Sequence, residues 1–470
     1  MSVSHRMAGN WKKLGIGFMP FADVASPTLP MGRLLRLSLF QVTVGMAIVL
    51  LIGTLNRVMI VELGVPAWLV AAMVGLPLIF APARAVVGWK SDNHRSVLGW
   101  RRVPYLWFGT MLQFGGLSIM PFALLILSGD TTGPAWVGTA AAALAFLLVG
   151  AGLHTTQTVG LALATDLSPP EAHPRVVAML CMALLLGMVV SGLLFGVLLA
   201  HFTQLRLIQV VQGTAVVTIA LNAIALWKQE ARNPAATGIR AMPSFAETWH
   251  RFNQVSQSQR RLVALGFGTV AFSMQDILLE PYGGHVLGLS VGATTFMTAL
   301  LAVGGLFGFG TAARWLGQGM DPYRLAAGGA VVGLVAFSCV SFAAPAQSVQ
   351  LFAIGVTLIG LGAGLFAHCT LTAAMSAADP SQVGLTLGIW GAVQATAAGL
   401  AVAGGGLLRD GVAILADRAS LGPALVSPAT GYVVVYTIEI VLLFVTLVAI
   451  GPLVRIAGPG RLPLQPLRSC

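Results

Sequence analysis

Two carboxylates lie one helical turn apart, Asp276 and Glu280, in the string Met274-Gln-Asp-Ile-Leu-Leu-Glu-Pro-Tyr-Gly-Gly284 at the end of a long apolar run. An ionised side chain at membrane depth costs about 2.5–3.5 kcal/mol on insertion scales, so such residues mark function or a tight structural pairing. With Gln275, and with Asn56 and Arg57 at the outer end of the first apolar run, they can form a proton or cation relay. They can equally be a polar anchor at the mouth of a central cavity. The plainer alternative is a helix end at the outer interface: the residue before a proline is biased away from helix, and Gly283-Gly284 can turn the chain. Asp276 is the deeper of the two acids. Arg57, with Glu62 nearby, either marks the interface or partners Glu280.

Two histidines fall inside apolar runs at related places. His154 follows Gly150 by four residues, and His368 follows Gly364 by four. Residues four apart share a helix face, and a neutral imidazole is a good axial ligand for a metal held in a macrocycle. A glycine one turn away leaves room for a flat ring. The alternative is a histidine hydrogen-bonded to a neighbouring helix. Arg84 and Asp166 both lie near the inner side, where an ion pair locking the N-terminal helices is expected rather than a substrate contact. The glycine pairs 192/196, 304/308, 360/364 and 384/388 suit close helix packing within a bundle, or one face docking a single-span partner.

Other chemistry is missing. The chain has no Walker loop, no His-Glu-x-x-His and no Gly-x-Ser-x-Gly, and its four cysteines show no metal spacing. No enzyme activity, no nucleotide and no directly bound metal is expected.

The elements that must carry these residues are membrane spans. Hydrophobic residues make up 57% of the 470 and charged ones 9%, where a soluble domain carries about 25% charge. The mean hydropathy is +0.86. Twelve runs are long enough to cross a bilayer, near 38–60, 67–88, 104–127, 135–163, 175–200, 207–227, 262–282, 291–315, 324–343, 349–375, 383–408 and 431–454. With the N-terminus inside, 21 of the 26 Lys and Arg fall on the cytoplasmic side and four outside. The positive-inside rule thus puts both termini in the cytoplasm and explains the net charge of +11 without nucleic acid. Residues 1–36 carry no signal-peptide core, and Trp11–Phe21 suits the membrane surface.

Polar residues 228–261 divide the spans six and six, giving an N-terminal bundle over 37–227, a cytoplasmic linker, a C-terminal bundle over 262–455 and a tail at 456–470. A capping-box pattern at Ser244–Glu247 predicts a short surface helix over 245–253. The halves echo one another: Gly88–Asp92 matches Gly317–Asp321 at an offset of 229, and Gly150-Ala-Gly-Leu153 matches Gly362-Ala-Gly-Leu365 at an offset of 212. Asp166 and Asp379 close the equivalent helices. Parallel six-helix repeats are the plan of the major facilitator superfamily. The loop after the second span, with Asp92, Arg101 and Arg102, resembles that superfamily's signature, in stretched form and with Asn93 where the signature has Arg. There the loop Asp caps a helix and latches the halves together.

Several longer strings resemble the PucC/LhaA family of purple phototrophs, a divergent branch of that superfamily. They are Gly53–Gly64, Gly99-Trp-Arg-Arg-Val-Pro-Tyr105, His154–Asp166, Gln275-Asp-Ile-Leu-Leu-Glu-Pro-Tyr-Gly-Gly284 and Gly388–Gly399. The likeness covers residues 15–455 and leans to the LhaA-like, core-antenna type. It implies an assembly factor of the photosynthetic inner membrane that binds or delivers bacteriochlorophyll to the antenna α and β polypeptides. Contacts with the reaction-centre/core antenna complex, with bacteriochlorophyll synthesis enzymes and with membrane lipid are implied as well. On this view His154 and His368 hold pigment, and a glycine-rich lateral face receives the antenna helix. The competing classes are a proton-coupled secondary transporter of a tetrapyrrole or other hydrophobic solute, and a subunit held permanently in an antenna complex.

Overall fold

Runs of about twenty apolar residues can satisfy their backbone polar groups in lipid only as helices, and twelve such helices stand among the described residues. The computed structural model describes residues 30–79, 100–128, 134–169, 173–230, 257–377 and 383–454, with Val87 and Ser91. In the N-terminal half the helices are α1 (Met31–Glu62), α2 (Ala67–Ile79), α3 (Val103–Leu127), α4 (Ala135–Leu167), α5 (His173–Leu198) and α6 (Gln204–Leu226). In the C-terminal half they are α7 (Ser258–His285), α8 (Val291–Gly317), α9 (Pro322–Ala343), α10 (Val349–Ala377), α11 (Val383–Asp417) and α12 (Thr430–Ile450). No strand occurs among the described residues. Eleven of the helices are long and apolar enough to span a bilayer, and α2 is described over its first 13 residues.

Three boundaries differ from the expected ones, each through a charged residue that a hydropathy count excludes. α1 starts at Met31, so Arg33 is helical; its guanidinium reaches the side chain and backbone carbonyl of Gln229. α7 starts at Ser258, and Arg260 donates to the carbonyls of Ala449 (2.9 Å) and Val448 (3.3 Å), satisfying the last turn of α12. α11 runs on to Asp417, so Arg409 and Asp410 are helical and pair at 2.6 Å. The expected helix at 245–253 and the surface stretch at 11–21 lie outside the described residues.

Each half is a bundle: α3 packs on α4 and α6, and α1 on α5 and α6. In the other half α9 packs on α10 and α12, and α7 on α11 and α12. The halves meet along two seams, α2 on α11 and α5 on α8. Moving six helices along the chain exchanges one seam for the other.

The glycine pairs build these contacts. A methyl on Gly192 of α5 would lie 2.8 Å from Ala299 on α8. Gly304 and Gly308 of α8 lie against Thr357 and Leu361 of α10, and Gly360 and Gly364 of α10 against Leu301 and Gly305 of α8. All three pairs are used up inside the bundle, so none is a lateral docking face; the side chains around 384/388 lie outside the described set.

Candidate functional site

The polar residues singled out in the sequence gather where α1 and α7 meet, and both helices are irregular there. α1 widens into π-type turns at Val49–Leu55 and Val58–Glu62. α7 tightens into a 3₁₀ turn at Met274–Ile277 and resumes as α-helix at Leu279. Such departures expose backbone groups and often mark function.

Pro281 explains half of the arrangement. It has no N–H, so the carbonyl of Ile277 loses the donor that a regular helix would supply. Asn56 fills the gap from the other half of the molecule: its Nδ2 donates to Ile277 O at 2.7 Å and to Ile52 O, in its own widened turn, at 2.9 Å. Pro281 therefore does not end the helix. It sits in the first turn of the resumed segment, where proline is tolerated, and helix continues to His285. Glu280 is accordingly inside the bundle and 4% exposed, not at an interfacial helix end. Gly283 and Gly284 do not turn the chain either. Gly288, at φ +65°, does that, and Gly284 makes room for the Arg57 guanidinium, which a methyl there would approach to 3.1 Å.

Asp276 and Glu280 serve different neighbours. Glu280 Oε1 accepts from the Thr298 hydroxyl on α8 and presses against Gly53 of α1, where a side chain would collide with it. Glu280 Oε2 is buried without a partner. Asp276, half-buried, accepts from Gln275 Nε2 at 2.5 Å. Arg57 does not pair with Glu280; its ion pair is with Glu62, and its other terminal nitrogen donates to Leu289 O at 3.0 Å. Thr54 meets Thr295 at 3.1 Å, and Asp410 accepts from the Trp68 backbone N–H at 2.8 Å. Four of these bonds join the two halves: Asn56–Ile277, Arg57–Leu289, Thr54–Thr295 and Trp68–Asp410.

One residue of this site escaped the sequence reading. Glu439, fully buried in the middle of α12, accepts from the Gln275 backbone N–H at 2.7 Å. The signal was available: it is the one acid in an otherwise uncharged span, the same test that picked out Asp276. Nearer the N-terminal end of α12 stand Tyr432 and Tyr436, each with its ring centroid 5.6 Å from that of Tyr282. His285 bonds the Tyr432 hydroxyl at 2.8 Å, and Arg409 stacks over that ring at 4.6 Å.

The histidines lie half a helix further in. His154 and His368 are both half-buried. Gly150 faces Pro77 on α2, and Gly364 faces Gly305 on α8, the six-helix equivalent of α2. The residues two further along or back, Gly152 and Gly362, face α3 and its equivalent α9. The structural register therefore equates Gly150 with Gly364 and His154 with His368. The Gly-Ala-Gly-Leu match is two residues out of register, which is about 200° around a helix. The expected clearance for a flat ring is overturned, because Pro77 and the Gly305 backbone occupy the space over the two glycines. His368 keeps a buried Nδ1 without a hydrogen-bond partner and lies 5.0 Å from the Phe309 ring on α8.

At the inner end Asp166 pairs with Arg101 at 2.5 Å and Arg102 at 3.0 Å, and Arg102 also donates to Ser91. Glu230 accepts the backbone N–H groups of Arg101, Arg102 and Val103, capping α3. These bonds of Arg101 and Arg102 tie the start of α3 to the end of α4 and to the start of the linker, and so brace the N-terminal half. Arg84 and Asp92 lie outside the described residues. In the second half Asp321 caps α9 through the Arg324 N–H at 2.9 Å.

Residues 54–458 match the family model described as PUCC protein. A protein named "Protein PucC" from Rhodovulum sulfidophilum is 56% identical over 408 residues, 85% of this chain and 90% of its own length. An uncharacterized protein of the puhA-bchM intergenic region of Rhodobacter capsulatus is 54% identical over 470 residues, 99% of this chain and 97% of its own. A more distant relative from Rhodobacter capsulatus, 27% identical over 456 residues (93% of this chain, 98% of its own), is named bacteriochlorophyll synthase 44.5 kDa chain. Among solved structures, an inward-facing bacterial homologue of the lysosomal transporter Spinster superposes at TM-score 0.66 with 14% identity, covering 89% of this chain and 95% of that one. That likeness concerns the fold alone.

Proposed function

Since this chain belongs to the PucC family, a group of multi-pass membrane proteins of photosynthetic bacteria, we propose that it is an assembly factor for light-harvesting antenna. In this reading it binds bacteriochlorophyll as cargo and delivers it to single-span antenna α and β polypeptides, those of the core antenna in particular. The chain performs no covalent chemistry on the pigment.

The observation that carries the reading is the pair of half-buried imidazoles at equivalent places on α4 and α10. The name of the distant relative, which contains bacteriochlorophyll, supports the choice of pigment. Because the glycine slots are filled, the macrocycle is expected to approach one turn inward of Gly364, along the seam between α8 and α10 where Phe309 lines His368. The His368 Nδ1, buried without a hydrogen-bond partner, suits an axial ligand better than a structural hydrogen bond.

The test is an absorption spectrum of the protein purified gently from a phototrophic host that makes bacteriochlorophyll but no antenna polypeptides. A near-infrared band at fixed stoichiometry, reduced severalfold by His154→Leu and by His368→Leu, is expected. A colourless and well-folded protein would sink the ligand assignment.

A second reading, a proton-coupled transporter of a tetrapyrrole or other hydrophobic solute, is favoured by the buried acids at the interrupted α7. In proteoliposomes Asp276→Asn abolishes uptake by such a carrier, yet only weakens antenna assembly by a scaffold.

A further inference from the structure

Glu439 has no role in either reading so far, and its surroundings are unusual. Two carboxyl groups, Asp276 of α7 and Glu439 of α12, are joined through one residue: Gln275 gives its backbone N–H to Glu439 Oε1 and its side-chain amide to Asp276 Oδ1. The break in α7 makes this possible, because the tightened turn at Met274–Ile277 directs the Gln275 N–H toward the neighbouring helix.

Among the described residues, no cation forms an ion pair with either carboxylate. Of the elements packed against α12, α7 presents Asp276, Glu280 and Tyr282 on this side, and Glu280 is engaged with Thr298. α9 carries Tyr323 and Arg324 in its first turn and Cys339 near its far end. α11 contributes Arg409, which is held by Asp410 and by the ring of Tyr432. Tyr432 is seven residues, or about 10 Å of helix, from Glu439. α12 itself adds Tyr436.

Three buried oxygens at this break have no partner: Glu439 Oε2, Gln275 Oε1 and the Tyr436 hydroxyl. Ionised carboxylate oxygens and amide oxygens only accept, so together they offer acceptors and too few donors. Two uncompensated negative charges in a span would cost several kcal/mol, and a proton removes one of them while supplying a donor.

We infer that Asp276 and Glu439 form a single proton-holding pair, bridged by Gln275 at the break in α7. Asp276 is the less deeply buried member and is assigned as the point of exchange with water; Glu439 is fully buried. The step is one proton transfer: an O–H bond forms on a carboxylate oxygen, an O–H bond of hydronium breaks, water is released and no electrons move. The charge thus set lies beside Ile277, whose carbonyl Asn56 holds from the other half. This assignment does not depend on what the protein carries.

Infrared difference spectroscopy of the full chain in lipid nanodiscs at neutral pH, in H₂O and D₂O, reads the pair directly. A protonated-carboxyl C=O band that shifts in D₂O is expected to disappear in Glu439→Gln and to move in frequency in Asp276→Asn. Glu280→Gln controls for the third buried acid and leaves this component in place. No such component in wild type, or a Glu439 band unmoved by Asp276→Asn, overturns the pairing. Should Glu439→Gln fail to fold, the shift between wild type and Asp276→Asn decides on its own.

Discussion

At the outer end of the molecule, polar side chains of α1 reach across to the C-terminal half, while at the inner end those around α3 and α4 stay within their own. Thr54, Asn56, Arg57 and Thr295 are buried there, and Asn56 and Arg57 donate to backbone carbonyls of the other half. The inner groups are charged and partly open to water: Asp166 is 33% exposed and Arg101 41%. The difference is one of solvent. A bond buried in lipid or protein is costly to leave unmade, whereas an exposed ion pair trades with water at little net gain. The outer end is therefore the seam that holds this conformation, and the inner cluster shapes one half without committing it to the other.

Asn56→Leu should break that contrast most severely. It orphans the carbonyl of Ile277, at about 1–3 kcal/mol for a buried unsatisfied group, and removes the second bond to Ile52. A large drop in the thermal midpoint is expected, with greater labelling of cysteines introduced at the outer end; an unchanged protein would mean that the seam lies elsewhere.

Gly53→Ala comes next, because a methyl there collides with the Glu280 carboxylate. Overpacking of this kind costs about 1–3 kcal/mol. Glu280→Asp, one methylene shorter, should restore part of that loss, so a double-mutant cycle in thermal stability is expected to show coupling between the two positions.

The smallest effect is expected inside. Asp166→Asn weakens an exposed pair with Arg101, worth about 0–1 kcal/mol and declining with salt, and a second pair with the buried Arg102, which keeps its bond to Ser91. It should leave outer-end labelling unchanged, and a change there would join the two ends into one mechanism.

Much of the fold could be read from the chain, since apolar run length is a one-dimensional quantity. Which way a helix faces is not. The Gly-Ala-Gly-Leu repeat suggested a register that is half a turn wrong, and only contacts with Pro77 and Gly305 reveal it. Hydropathy likewise underestimated the helices bearing Arg33, Arg260 and Arg409, because it scores the charge and not the partner that each cation finds, a carbonyl for the first two and the Asp410 carboxylate for the third. Asp276 and Asn56 were legible as misplaced polar groups. Glu439 met the same criterion but lay in a span with no motif around it to draw notice. That Pro281 lies inside α7 and not at its end depended on a partner from another helix, which no local pattern contains.

The Ile277 carbonyl carries one last consequence, for how this chain can change over generations. Asn56 is indispensable only while position 281 lacks an N–H. Replacing Pro281 by Ala first would return the carbonyl to its own helix and set Asn56 free to vary; replacing Asn56 first strands a buried acceptor. The two sites, 225 positions apart in the chain, are expected to drift in one order and not the other, so the history of one constrains the future of its partner.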